Sequence, residues 1–130
     1  MNKLQKGHVL SKDCPSRAIL NHLTSRWGVL VMIVLLDGTK RFSEIRRGIE
    51  GVSERMLSET LKQLEQDGML IRRSYHTVPP HTDYTLTEYG RQASERIYGL
   101  VDWLENNLHG ILATTHQETK PIENSFIARE

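Results

Sequence analysis

Covalent and metal staples are almost wholly missing from this sequence. Cys14 is the lone cysteine in 130 residues, so no disulfide can form within the chain, and the cysteine-dense scaffolds of small secreted domains are excluded. Six histidines are present, yet no zinc-finger spacing occurs and no two are separated by three residues. His76 and His81 could face each other across a hairpin, but two histidines alone do not make a site, and neither a metal nor a cofactor is expected. Catalytic signatures are missing too. There is no G-x-S-x-G elbow, no phosphate loop and no convincing cluster of acids and bases, which argues against an enzyme.

Long apolar runs are equally scarce. The longest, Val29–Leu36 (VLVMIVLL), covers eight residues, against the roughly 20 that a membrane-crossing helix needs. No secretory signal is recognisable, so a soluble, cytoplasmic protein with no membrane role is expected. Nor is there an excess of one charge: 17 Lys and Arg face 16 Asp and Glu. Net charge therefore does not announce a nucleic-acid partner, but its distribution says more. Residues 1–40 hold six basic and two acidic side chains, residues 41–81 seven and six, and residues 82–130 four and eight. An acidic last third is a poor surface for a polyanion, so any nucleic-acid contact should lie in the first two thirds. The length suits one domain with a single core.

What is present is organised around Ser53–Gly68, SERMLSETLKQLEQDG. Ser53 is a residue type that caps helix N-termini, and Gly68 is the usual terminator. Leu57, Leu61 and Leu64 recur at helical spacing between them, flanked by Met56 and Thr60. The opposite face carries Glu54, Arg55, Ser58, Glu59, Lys62 and Gln63, side chains of the types that hydrogen-bond to base edges and phosphates. An isolated helix of this kind is ordinarily just solvated on that face.

Its surroundings add to it. Pro15 suits the first turn of a short helix over 16–24, with Ile19, Leu20 and Leu23 on one side. The run from Arg26 to Leu36 fits either a buried strand or an all-apolar helix by periodicity alone, and Asp37-Gly38 ends it. Phe42, Ile45 and Ile49 mark another short helix with Arg46 and Arg47 outward, and Gly48 and Gly51 frame the turn before Ser53. Two short helices joined by a glycine-containing turn form the helix-turn-helix pattern. Strand periodicity follows over 69–77 and 82–86, separated by Val78-Pro79-Pro80-His81. Two prolines cannot sit inside a central strand and so mark the turn of a two-stranded hairpin; a hairpin directly after such a helix is a wing. Thr87 then caps a helix over 88–108 whose apolar positions Ile97, Leu100, Val101, Leu104, Leu108 and Ile111 outrun a small core.

Taken together, these pieces resemble the HxlR-type family of bacterial winged helix-turn-helix transcriptional regulators, which is MarR-like. The resemblance covers about 14–108. It rests on Cys14-Pro15, on Trp27 with the apolar run and Leu36-Asp37-Gly38, on Arg41-Phe42-Ser43-Glu44-Ile45, and on Ser53-Glu54-Arg55-Met56-Leu57. Leu61 to Gly68, and Val78-Pro79-Pro80 through Tyr84-Thr85-Leu86-Thr87, complete it. The resemblance resolves the 26–36 run as a helix. It implies a mainly α fold with a small antiparallel hairpin, bracketed by N- and C-terminal helices that form a dimer interface. Two positions depart from the family pattern. Gly28 stands where a small hydroxyl or β-branched residue is usual, which loosens the helix start by about 1 kcal/mol. His81 stands where Arg is frequent, which exchanges a permanent charge for a titratable one.

The implied domain plan is a flexible 1–12, a winged helix-turn-helix domain with dimerisation helices over 13–111, and a disordered 112–130. The implied function is sequence-specific binding of double-stranded DNA to control transcription, more often by repression, as a homodimer on a pseudo-palindromic operator. Ser53, Glu54, Arg55, Ser58, Glu59 and Lys62 would form the recognition face. Arg55 would chelate guanine, Glu54 would accept from cytosine or pair with Arg55 or Ser58, and Lys62 would meet phosphate. Arg41, Arg46 and Arg47 would meet the backbone from the preceding helix, and Arg72, Arg73, His76 and His81 from the wing. Ile19, Leu20, Leu23, Ile97, Leu100, Val101, Leu104 and Leu108 would line the dimer interface. Cys14, at a helix N-terminus near Lys12 and Arg17, is either inert packing or a thiol sensor of a redox or electrophilic small-molecule effector. The rival reading is a winged-helix protein–protein module without specific DNA binding.

Overall fold

The last turn of the first helix and the first turn of the second almost touch. A computed structural model describes residues 6–118, with side chains described as far as residue 114. In chain order it comprises α1 (Pro15–Leu23), α2 (Arg26–Leu35), β1 (Lys40–Arg41), α3 (Phe42–Gly48), α4 (Glu54–Gln66), β2 (Leu70–Tyr75), β3 (His81–Leu86), α5 (Glu88–Asn106) and α6 (Leu108–Glu118). The fold is mainly α with one small antiparallel sheet. The chain divides into two units, Met1–Ile97 and Tyr98–Glu130.

The apolar run that periodicity leaves open is the helix α2. Ser25 caps it, its hydroxyl accepting from the Gly28 N–H at 3.1 Å, and Val31, Met32 and Leu35 are buried. It is the central helix of the first unit, in contact with α1, α3, α4 and β3, which is why it is apolar nearly all round. Gly28 has a packing reason at this departure, beside the cost in helix propensity. A Cβ there would lie 2.1 Å from the His22 carbonyl oxygen, so the missing side chain is what lets the end of α1 pass this close.

The core joins α2 to Ile45 and Ile49 from α3 and its end, Val52 from the turn, Leu57, Leu61 and Leu64 from α4, Leu70 from β2 and Tyr84 from β3. Each fully buried aliphatic side chain contributes about 1.5–3 kcal/mol, so the leucine stripe of α4 is what docks this helix. Ser53 caps α4 as expected, accepting from the Met56 N–H at 3.1 Å. At its other end His22 Nδ1 lies 2.6 Å from Asp67 Oδ2, tying α1 to the C-terminus of α4.

The wing is larger than a two-stranded hairpin. β1 pairs with the outer edge of β3, Lys40 opposite Tyr84 and Arg41 opposite Asp83, giving a three-stranded sheet in the order β1-β3-β2. Two residues are too few for any periodicity to reveal. In the β2–β3 hairpin Tyr75 opposes His81, and their rings stack at 4.6 Å. His76 therefore does not face His81; the register puts it beyond the last pair.

Thr87 caps α5 and does more. Its hydroxyl accepts from the Gly90 N–H at 3.0 Å and donates to the Gly68 carbonyl at 2.6 Å, while its N–H donates to Met69 O at 3.0 Å. The buried Ser94 hydroxyl donates to Met32 O at 2.9 Å, fixing α5 to α2. The first turns of α5 are thereby pinned to the backbone that leaves α4.

The single last helix expected over 88–108 is instead two. Asn107 falls between them: its side-chain amide donates to Trp103 O at 2.8 Å, and its backbone N–H is shared between Trp103 O at 3.1 Å and Leu104 O at 3.2 Å. The disordered tail expected from 112 is likewise corrected over 112–118, which belong to α6; 119–130 lie outside the described residues, as do 1–5 of the expected flexible start. No single helix among the described residues is long and apolar enough to cross a membrane.

Candidate nucleic-acid interface

α3, the turn 49–53 and α4 form the helix-turn-helix, and β2–β3 follow it directly. α3 begins by a local device: Glu44 Oε1 accepts from the Arg41 N–H at 2.8 Å, satisfying the backbone at the helix start. With α4 seated by its leucines, Ser53, Glu54, Arg55, Ser58, Glu59 and Lys62 are all exposed. All six candidate recognition residues are thus open to solvent, along α4 and at its N-cap.

The electrostatics of that face are set by acid–base pairs. Arg55 Nε lies 3.4 Å from Glu59 Oε2, with the Arg55 side chain 87% exposed. An exposed pair one helical turn apart is worth a few tenths of a kcal/mol, so a base edge can displace it. Glu54 pairs with neither Arg55 nor Ser58. Its Oε2 lies 3.3 Å from Arg46 Nη1, a bridge from α4 back to α3 that the linear sequence does not reveal. Arg47 is exposed and enters no ion pair among the described residues.

In the wing, alternation sends neighbouring side chains to opposite faces. Arg72 is in register with Tyr84, and Arg73 with Asp83. Arg41 is also in register with Asp83, so Arg41, Asp83 and Arg73 share one face of the sheet. Asp83 Oδ1 is buried without a hydrogen-bond partner among the described residues. Sequence reasoning passed over Asp83 because its two arginine neighbours arrive on strands 42 and 10 positions away. His76 is exposed in the connection and His81 half-buried against Tyr75.

Cys14 occupies the N-cap position of α1, with Pro15 following it. Its Sγ accepts from the His8 N–H at 3.2 Å and lies 3.0 Å from Ser16 Oγ. The Ser16 hydroxyl first, then the His8 amide, hold the thiol pKa below its usual value by stabilising the thiolate. The sign follows: alkylation of Cys14 by iodoacetamide should reach its plateau at a lower pH than for a free thiol. Ser16→Ala should move that midpoint upward, because it removes the largest stabilising contact. A pH profile unchanged by Ser16→Ala would show that this hydroxyl does not set the thiol's acidity.

The candidate dimer residues divide. Leu23 and Ile97 are half-buried, packed in part against the chain's own core. Ile19 and Val101 are half-buried, while Leu20, Leu100, Leu104 and Leu108 are exposed, as is Trp103. Among the described residues no three His, Cys, Asp or Glu side chains cluster to hold a metal ion.

Comparison with known proteins agrees with this arrangement. The HxlR-like helix-turn-helix family matches residues 22–111. The HTH-type transcriptional regulator YtfH of Escherichia coli (strain K12), itself uncharacterised, is 52% identical over 111 residues, 85% of this chain and 88% of that protein. Among solved structures, ytfH from Salmonella typhimurium has a TM-score of 0.81 at 51% identity, covering 85% of this chain and 99% of that one. The redox regulator HypR in its reduced form has a TM-score of 0.69 at 34% identity, covering 76% and 98%.

Proposed function

We propose a mechanism from one premise: this chain belongs to the HxlR-like helix-turn-helix family, and it is a DNA-binding transcriptional regulator. The observation that carries the mechanism is the solvent face of α4, whose polar residues are held outward by a buried leucine stripe with a wing beside it. Such a helix enters the major groove with its N-terminal residues nearest the bases. Ser53, Glu54, Arg55 and Ser58 then read base edges, with Glu59 beside them, and Lys62 meets phosphate further along. Arg41, Arg46 and Arg47 hold the backbone from the α3 side. Arg72, Arg73, His76 and His81 do so from the wing, and the alternation of Arg72 and Arg73 divides them between its two faces. Repression follows where the bound site overlaps a promoter.

The protein acts as a homodimer. Leu100, Trp103, Leu104 and Leu108 are large exposed apolar side chains, and a second copy would remove them from water, with Ile19, Leu20 and Val101 contributing. Two-fold symmetry then presents two α4 helices to successive major grooves about 34–36 Å apart. With near-neutral overall charge, affinity depends on placing two such helices rather than on a broad basic field.

Cys14 is the effector site. Its favoured thiolate is the reactive form, and the likeness to HypR, named a redox regulator, supports that role. A disulfide must cross subunits or use a small thiol, since no second cysteine exists. Cys14→Ser should stay folded and keep DNA binding but lose its response to quinones and peroxides; an undiminished response would remove Cys14 from the mechanism.

The decisive experiment selects bound sequences from random duplex DNA with and without oxidant. Two related half-sites should emerge, and their enrichment should change with oxidant. Binding should also weaken steeply as salt rises, since phosphate neutralisation releases counterions; a salt-insensitive interaction would instead favour a protein–protein module.

A further inference from the structure

A cleft of about 480 Å³ opens on the outer side of the helix-turn-helix, lined by α3, the turn and the first residue of α4. Its apolar lining is Phe42, Ile49 and Val52, and its charged lining is Arg46, Arg47, Glu50 and Glu54. The volume falls within the roughly 300–1,000 Å³ of small-molecule sites, and the composition, apolar surface with a few polar groups, is of the same kind. Ile49 and Val52 are buried and Phe42 half-buried, so the floor is fixed by the core, whereas the four charged side chains are exposed and adjustable.

The charges define the occupant. Glu54 already engages Arg46 at 3.3 Å, while Arg47 has no carboxylate partner among the described residues. One cation is therefore available to an incoming anion above an apolar floor. Glu50 and Glu54 on the same rim repel a second negative charge. We propose that this cleft binds an apolar monocarboxylate, its carboxylate on Arg47 and its hydrocarbon body against Phe42, Ile49 and Val52, and that such a ligand competes with DNA. The competition rests on the reading above, in which Arg46, Arg47 and Glu54 lie at the DNA surface. A ligand seated there occupies Arg47 and places its body where the backbone of the duplex would approach.

The test uses 2-naphthoate on the full chain, followed through protein amide resonances in the absence of DNA. Saturable shifts are expected at Ser43, Gly51 and Val52. The uncharged 2-naphthylmethanol and the dianion naphthalene-2,6-dicarboxylate should each bind at least about tenfold more weakly, the first for want of a charge-assisted hydrogen bond and the second through repulsion. Arg47→Gln should weaken naphthoate by about tenfold, and Glu50→Gln should narrow the gap between mono- and dicarboxylate. Both side chains are exposed, so neither variant should unfold the protein, and melting curves check this. Shifts that do not saturate, equal binding of the alcohol, or indifference to Arg47→Gln would overturn the site. Naphthoate that binds the cleft without weakening affinity for the selected duplex would overturn the competition. A wild type that binds no duplex at all would instead sink the DNA reading, leaving the cleft to be judged by the protein resonances alone.

Discussion

Gly90→Ala is expected to destabilise the protein by about 3 kcal/mol and lower its melting temperature by about 10 °C or more. A Cβ at position 90 would lie 1.8 Å from Met69 O, 2.8 Å from Met69 C and 3.3 Å from Leu86 Cδ2. The nearest obstacle is backbone, not the end of a flexible side chain, so α5 or the start of β2 must shift. That shift strains the Thr87 N–H bond to Met69 O and the Thr87 hydroxyl bond to Gly68 O, each worth about 0.5–1.5 kcal/mol. Better helix propensity returns only about 1 kcal/mol. Gly99, in the same helix, is the control. A Cβ there meets nothing within 4 Å, so Gly99→Ala should stabilise by about 0.5–1 kcal/mol. Thermal unfolding of the two variants should move in opposite directions, and a Gly90→Ala melt within about 2 °C of wild type would mean that the close approach is not rigid. Because Gly68 and Met69 lead directly out of α4, the damage should also reach DNA affinity.

Arg55→Ala is expected to weaken specific DNA binding by roughly 5- to 150-fold, corresponding to about 1–3 kcal/mol for one bidentate base contact. The loss should be accompanied by relaxed preference at one base pair per half-site. The free protein has little to lose: Arg55 is 87% exposed and, among the described residues, tied only to Glu59 at 3.4 Å, so its stability should be unchanged within about 0.5 kcal/mol. Lys62→Ala is the contrast, weakening all duplexes alike and reducing the salt slope by about one. Titration of selected and scrambled duplexes at two salt concentrations separates these outcomes. Arg55→Ala binding its selected site as tightly as wild type would displace Arg55 from the reading head.

Much of this was legible because it is local. Ser53 and Thr87 cap their helices through contacts three residues away, and the leucine stripe of α4 repeats at the helical period. Other features depend on residues far apart in the chain. The Arg46–Glu54 bridge crosses a turn, and His22 meets Asp67 from 45 positions away. β1 exists only because β3 offers it a free edge. His81 faces Tyr75 and not His76 because the register, not the proline turn alone, fixes the pairs. Leu23 and Ile97 also pack in part against the chain's own core, a contact that spacing along the sequence does not reveal.

By itself the sequence determined the helix-turn-helix, the wing that follows it, the family resemblance and the polar face of α4, since caps, periodicity and turn residues act over a few positions. Tertiary structure alone decided which charges on that face are already paired, that Arg47 has no ion-pair partner among the described residues beside a cleft with an apolar floor, and that Gly28 and Gly90 are sites of backbone contact. The reason is physical: an ion pair, a cavity or a close approach is a distance between segments, and those distances exist only once the leucines of α4 and the apolar side chains of α2 have left water together.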